Sequence, residues 1–528
     1  MKKCAKRITA ALLCFIIALI LCLPAFADEE KTAYIIVSGM NTFPLYDENE
    51  NQVWPLSTGT IVKLVADILP DVMTYFVTKD AQRLADKILP VAYEVFEPIA
   101  CAENGDSKYP LHTLTFEGHL GENAERFTSM ETDEEGVVHE AIDRFGLDNT
   151  YFFNYDWRID PLCHADDLDR FIKDVKTLGD YNRISLLCFS MGGTIVSSYL
   201  HKYGSGEIDT VEFCSTAFEG SSIVGELFAG RLEVDIEALI DRVASLVRND
   251  TIKQIFDYLN AGLTENGFNG SVTDFANNLI AEIGDRVFDE LLIPVFGYMP
   301  GIWALTPYDN YDECKEYILK NNDNSALLER IEEYHNSVQG NLSETLHSAL
   351  EDTNVYVTAQ YNMRGVPVAE TITKSNNDFL IDCRYASGGA TVSLLHETLG
   401  EGYPQQLYTD VNYLSPDGQI DASTCILPDK TWFIRDMAHV DYPYGGDAAE
   451  FVLDLASSKE QQTVFTSKWS QFMKYDYSDK TLTPVTSETG KDVSFLGRVL
   501  AFLDRIRSTV YSILDKLNIF KYIKAAVR

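Results

Sequence analysis

At 528 residues the chain exceeds the usual length of one hydrophobic core, which predicts one large elaborated domain or a domain with appendages. Asp and Glu number 80 against 43 Lys and Arg, and a formal charge of −37 excludes a nucleic-acid partner, because a phosphate backbone would be repelled over nearly the whole surface. Seven of the ten cysteines follow residue 27, an odd number without paired close spacing, which describes neither a disulfide framework nor a zinc site.

Residues 1–27 open with basic residues, continue through an apolar run and end on Ala25-Phe26-Ala27, the pattern of a secretory signal cleaved before Asp28, so the protein is expected to be secreted. A retained membrane anchor is the alternative, since the run from Ile8 to Leu23 approaches the lower limit for a span. The run AYIIVSGMNTFPLY from Ala33 then gives a short apolar strand ending near Gly39, the form of a buried parallel strand. A helical insert is predicted over about 57–100, where apolar residues recur at helical spacing and prolines are expected to end the helices. TYFFNYDWRID, DLDRFIKDVKTL, RISLLCF and SMGGTIVSSYLHKYG read as strand, helix, strand, helix. That alternation predicts an α/β fold with a mostly parallel central sheet whose site lies at the carboxyl ends of the strands.

Helical periodicity dominates from about 220 to 350, predicting an inserted cap, and the sheet resumes at NVYVTAQY and TWFIRDMA, read as the last strands. DAAEFVLDLAS closes a catalytic domain spanning about 28–475. Residues 476–528 are a linker and a basic amphipathic helix: Leu496, Val499, Leu503, Ile506, Val510, Ile513, Leu517 and Phe520 mark one face, and from Ser494 onward seven Arg or Lys stand against two Asp. Such a helix can lie in a headgroup layer and make a peripheral membrane contact, or pack on the acidic domain.

The chemistry centres on Cys188-Phe189-Ser190-Met191-Gly192, a form of the G-x-S-x-G elbow in which a strand-to-helix turn exposes a nucleophilic serine and aims the next amide at an oxyanion. An apolar strand before it and Gly192-Gly193 after it supply the required context. In an α/β-hydrolase fold the acid and then the histidine follow the serine along the chain. His439, just beyond TWFIRDMA, is the expected base, and His396 is read as a surface residue. Asp417, at a turn before the last strand, is the expected acid, with Asp421 as its competitor. Gly39 lets the loop after the first strand turn and present the amide of Met40, and Met191 supplies the second oxyanion donor. No metal or other cofactor is expected: the acidic run Asp47–Asn51 imitates a calcium loop, but Gln52 and Thr58 replace its glycine and closing glutamate.

Five segments, IIVSGMNTFPL with Val53-Trp54-Pro55, FNYDWRIDP, LLCFSMGGT, the pair AFEGSSIVGELFAG and MPGIWALTPYD, and PDGQIDAS followed by His439, together resemble the lecithin:cholesterol acyltransferase family, which includes phospholipid:diacylglycerol acyltransferases and a lysosomal phospholipase A2. Asp156, Trp157 and Arg158 form its most specific motif, with an expected local role in stabilising the strand end. The resemblance spans roughly Ala33 to Phe451 and departs from the pattern at Ser38, where proline is usual, and at Cys188, where glycine or alanine is common. It implies an acyl group carried on Ser190, with Asp417 and His439 as partners and Met40 and Met191 as donors. The leading expectation is a lipid-ester hydrolase of lipase or phospholipase type; a lipid O-acyltransferase and a non-lipid esterase or peptidase are the alternatives.

Overall fold

The computed structural model describes residues 31–123, 136–234, 272–322, 324–439, 445–487 and 489. The signal-sequence and amphipathic-tail expectations lie outside these residues. Eight strands form the central sheet: β1 Thr32–Val37, β2 Thr150–Phe153, β3 Arg183–Phe189, β4 Thr210–Cys214, β5 Asn354–Tyr361, β6 Thr431–Arg435, β7 Phe472–Asp476 and β8 Thr481–Pro484. Their spatial order is β8-β7-β6-β5-β4-β3-β1-β2. The first seven run parallel and β8 turns back antiparallel on β7. The sheet therefore has two strands beyond the segment TWFIR that had been expected to close it, and it continues past Tyr475 to Pro484.

The principal helices are α1 Thr58–Thr78, α2 Ala81–Phe96, α3 Val137–Phe145, α4 Pro161–Gly179, α5 Gly192–Tyr203, α6 Val272–Val287 and α7 Asp447–Ala456. α4 packs beside α5 and α3 beside α7, so both faces of the sheet are covered and its strands are buried on both sides, as their near-continuous apolar sequences require. Strand order, parallel sheet and flanking helices make this an α/β-hydrolase fold.

The helical insert is present, but two of its prolines do not end helices. Pro70 lies inside α1 and Pro90 inside α2; the break falls instead at Lys79, in the left-handed region at φ 56°, followed by Asp80, whose side chain accepts from the amide of Arg83. Tertiary packing offsets the hydrogen bonds that the prolines remove. Tyr75, Leu84, Ala85 and Leu89 bury themselves against Ile283 of α6, and the Gln82 side chain donates from Nε2 to the Glu282 backbone carbonyl at 3.0 Å. The insert after β1 and the one after β4 thus pack as one helical cap, and both leave the sheet at the carboxyl ends of its strands.

That edge has an unusual backbone. Each of β3, β4, β5 and β6 is followed at once by a non-glycine residue at positive φ: Ser190 at 53°, Ser215 at 47°, Asn362 at 68° and Asp436 at 61°. Four neighbouring strands therefore end on a sharp left-handed turn, a conformation costing about 1–2 kcal/mol per residue when β-carbons are present.

Candidate active site

Ser190 sits between β3 and α5, where a strand must become a helix within two residues. Its backbone is pinned on both sides: its amide donates to the Cys214 carbonyl at 3.3 Å, and its carbonyl accepts from Gly193 at 3.1 Å and Ala217 at 3.0 Å. A β-carbon on Gly192 would come within 2.6 Å of the Ser38 carbonyl oxygen, and one on Gly193 within 2.4 Å of the Thr216 side chain, so only glycines let the helix start this close to the sheet. Cys188 fits the first elbow position because its thiol donates to the Glu212 carbonyl at 3.3 Å, and full burial raises its pKa well above the usual range, keeping it a neutral thiol.

His439 lies beyond the end of β6. Its Nδ1 is 2.7 Å from Oδ2 of Asp378, and its amide donates to the Asp378 carbonyl at 2.8 Å, so side chain and backbone are held by the same residue. Asp378 is fully buried, and its Oδ1 accepts from the amides of Leu380 at 3.0 Å and Ile381 at 2.7 Å. These bonds fix the carboxylate and, through it, a tautomer with the proton on Nδ1, leaving Nε2 as the basic nitrogen.

This corrects the expected acid: the structure pairs His439 with neither Asp417 nor Asp421. Asp417 is held by Arg435 at 2.6 Å, the Tyr361 hydroxyl at 2.9 Å and the Ser415 hydroxyl at 2.7 Å. Asp421 accepts from the amides of Gln406 at 2.9 Å and Ser423 at 3.0 Å and from the Tyr403 hydroxyl at 3.2 Å. Both carboxylates are thus satisfied without His439, Asp417 by its own turn and the two flanking strands and Asp421 within the loop. The sequence signal for Asp378 was the run Ser375-Asn376-Asn377-Asp378, whose Asx side chains bond the neighbouring backbone, as those of Asn377 and Asp378 do here. His396 is exposed, as expected, at a turn with φ 65°.

Met191 is buried and Met40 is 43% exposed. Among the described residues neither backbone amide has a hydrogen-bond acceptor. A β-carbon on Gly39 would lie 3.0 Å from that of Ser190, which places the Gly39–Met40 turn directly against the elbow. The Asn154-Tyr155-Asp156-Trp157-Arg158 segment supports this turn. The Ser38 hydroxyl donates to the Asn154 side chain at 2.8 Å, and the Tyr155 hydroxyl donates to the Ser38 carbonyl at 3.1 Å. Arg158, fully buried, grips Asp156 through Nε at 2.9 Å and Nη2 at 2.5 Å and donates to the Ile99 carbonyl at 2.9 Å. Trp157 is buried 6.5 Å from Trp54, ring centre to ring centre. Asn154 and Tyr155 thus brace the loop beside Ser190, while Arg158 ties Asp156 to Ile99.

Aromatic side chains continue from this loop into the cap: Trp54 packs 6.0 Å from Phe96, which packs 6.5 Å from Phe296, all three half-buried. Among the described residues no cluster of His, Cys, Asp and Glu could hold a metal ion, and Asp47 instead caps the amides of Asn49 and Asn51, each at 2.9 Å. All seven described cysteines are free thiols, six of them buried. No helix among the described residues is long and apolar enough to cross a membrane.

No protein-family description and no curated protein matches the chain. Among solved structures, one matching chain comes from the crystal structure of the Tle4–Tli4 complex; the match covers 90% of this chain and 98% of that one, at 10% identity and a TM-score of 0.26, so the fold rests on the strand order itself.

Proposed function

We propose that the chain is an exported serine hydrolase that cleaves lipid esters through an acyl-enzyme on Ser190. The observation that carries this reading is the buried Asp378–His439 pair on the same strand edge as a serine held in a left-handed strand-to-helix turn. In the proposed cycle Nε2 of His439 takes the proton of the Ser190 hydroxyl as its oxygen attacks the ester carbonyl. The amides of Met40 and Met191 donate to the resulting oxyanion, and Asp378 stabilises the imidazolium without taking its proton. Collapse expels the alcohol, which leaves with the proton from Nε2. Water then repeats the sequence on the acyl-enzyme and releases the acid.

The lipid assignment rests on the sequence resemblance and on the half-buried aromatic rings of Trp54, Phe96 and Phe296, apolar surface of the kind an acyl chain would pack against. Membrane contact through the tail, and export itself, are proposed from sequence pattern alone.

The test is p-nitrophenyl ester turnover by the protein and by Ser190→Ala, comparing acetate with long-chain esters, with and without anionic vesicles. The expected result is preference for long chains on vesicles and a loss of more than about 10⁴-fold in kcat for the variant. Equal rates for the two proteins overturn the serine assignment. Preference for acetate in solution points instead to a non-lipid esterase, and acyl transfer to an added long-chain alcohol in preference to water points to an acyltransferase.

A further inference from the structure

The loop between β5 and β6 and the end of β6 share a closed ring of polar groups outside the proposed triad. Asp417 accepts from Arg435, whose Nε lies 3.5 Å from the carboxylate of Asp436. Asp436 accepts from the Asn362 side-chain amide, and the Asn362 backbone amide donates to Oδ1 of Asn376 at 2.6 Å. Asn376 donates from Nδ2 to the Gln419 side chain at 2.8 Å, and the Gln419 backbone amide returns to Asp417 at 3.3 Å. The side chains of Asp417 and Arg435 are only 2% and 4% exposed.

We propose that this ring positions the Asp378–His439 pair, with Asp417 and Arg435 as positioning residues for the base. The proposal rests on the reading of His439 as the base. Asn376 stands two residues before Asp378, and Asp436 three before His439, so the ring grips both partners from outside their shared hydrogen bond. Short range matters because the segment 375–382 has no strand or helix of its own until Cys383, and the turn after β6 has none either. The ring adds to the hydrogen bonds that already hold Asp378 and limits how far each segment can shift. A buried ion pair contributes little net stability compared with apolar packing of the same volume, but it is geometrically exacting. At a site where a displacement of 1 Å can cost about 100-fold in rate, that exactness has a use.

Two further features fit a brace. The Asp436 amide donates to the Tyr361 carbonyl at 2.9 Å, and the Met363 amide to the Asn377 carbonyl at 2.9 Å, so the ring is anchored to the ends of both strands. Tyr361, whose hydroxyl donates to Asp417, is fully buried on β5, and burial raises its pKa well above the usual phenol value, so it remains a donor.

The test compares Asp417→Asn, Asn376→Ser and Asp421→Asn with the native protein in kcat, KM, pH profile and the low-field proton resonance of His439 Nδ1–H. Thermal melts establish that each variant is folded. The expected result for Asp417→Asn is a kcat lower by about 10- to 100-fold, KM within about twofold, a displaced acid limb and a moved Nδ1–H resonance. Asn376→Ser gives the same signature more weakly, and Asp421→Asn gives none of it. A folded Asp417→Asn or Asn376→Ser protein with native kcat, acid limb and resonance overturns the proposal. So does failure of both to fold, which makes the ring a stability element only. If Ser190→Ala turns over at the native rate, the serine reading itself has failed, and the resonance then reports on the ring alone.

Discussion

The two halves of the candidate site are built on opposite principles. Around Ser190 the elbow itself is local: β3, the left-handed turn, Gly192-Gly193 and α5 occupy one short stretch of chain, shaped by backbone strain and by close glycine contacts with Ser38 and Thr216. Around Asp378 little is local. The carboxylate sits on a long excursion between β5 and β6 and meets His439 from 61 residues away. Strain holds the first half and a hydrogen-bonded charge network the second. The comparison teaches that a nucleophile can be specified by a pentapeptide, while its acid depends on how a long loop folds back.

The largest expected effect breaks the second half. Asp378→Asn leaves the shape intact but offers His439 the wrong tautomer, and kcat is expected to fall by about 10⁴-fold, whereas Asp421→Asn stays within a few-fold of native. Steady-state turnover of a p-nitrophenyl ester decides the matter, and a larger loss for Asp421→Asn than for Asp378→Asn would return the acid to Asp421. A smaller effect tests the first half. Gly39→Ala places a methyl 3.0 Å from the Ser190 β-carbon, against 3.4 Å or more for ordinary contact, and is expected to lower kcat by roughly 10-fold with little change in melting temperature.

The smallest effect lies beneath both halves. Glu212 on β4 is fully buried, and its carboxylate has no hydrogen-bond partner among the described residues. Desolvation raises its pKa well above the usual carboxylate value. A raised carboxyl pKa leaves stability fully present below the unfolded value of about 4.3 and erodes it as the pH rises toward the folded value. Glu212→Gln is therefore expected to raise the melting temperature relative to native at pH 8, with the difference vanishing near pH 4. A constant difference across that range would mean that Glu212 does not titrate on unfolding.

The same contrast explains what was legible in the sequence. The parallel sheet, Ser190 and its glycines follow from apolar runs and one turn motif, and His439 follows from its place after the strand TWFIR. Asp417 was a reasonable acid by position and turn chemistry, but sequence cannot weigh Arg435, which claims it at 2.6 Å, against His439. Pro70 and Pro90 misled for a related reason: local propensity argues for a break, and the contacts of α1 and α2 with α6 overrule it. β7 and β8 are not legible in the sequence because each is short and only pairing, of β7 with β6 and of β8 with β7, makes them strands.

The row of left-handed residues after β3, β4, β5 and β6 also predicts which mutations this protein can survive. Glycine, asparagine and aspartate are the residues that accept such a backbone readily, so Ser215, Asn362 and Asp436 should each tolerate a narrow alphabet that excludes valine, isoleucine and threonine, whatever their side chains touch. Sequence variation along this edge is then filtered by backbone shape before it is filtered by chemistry. New side chains can be tried there only from a short menu.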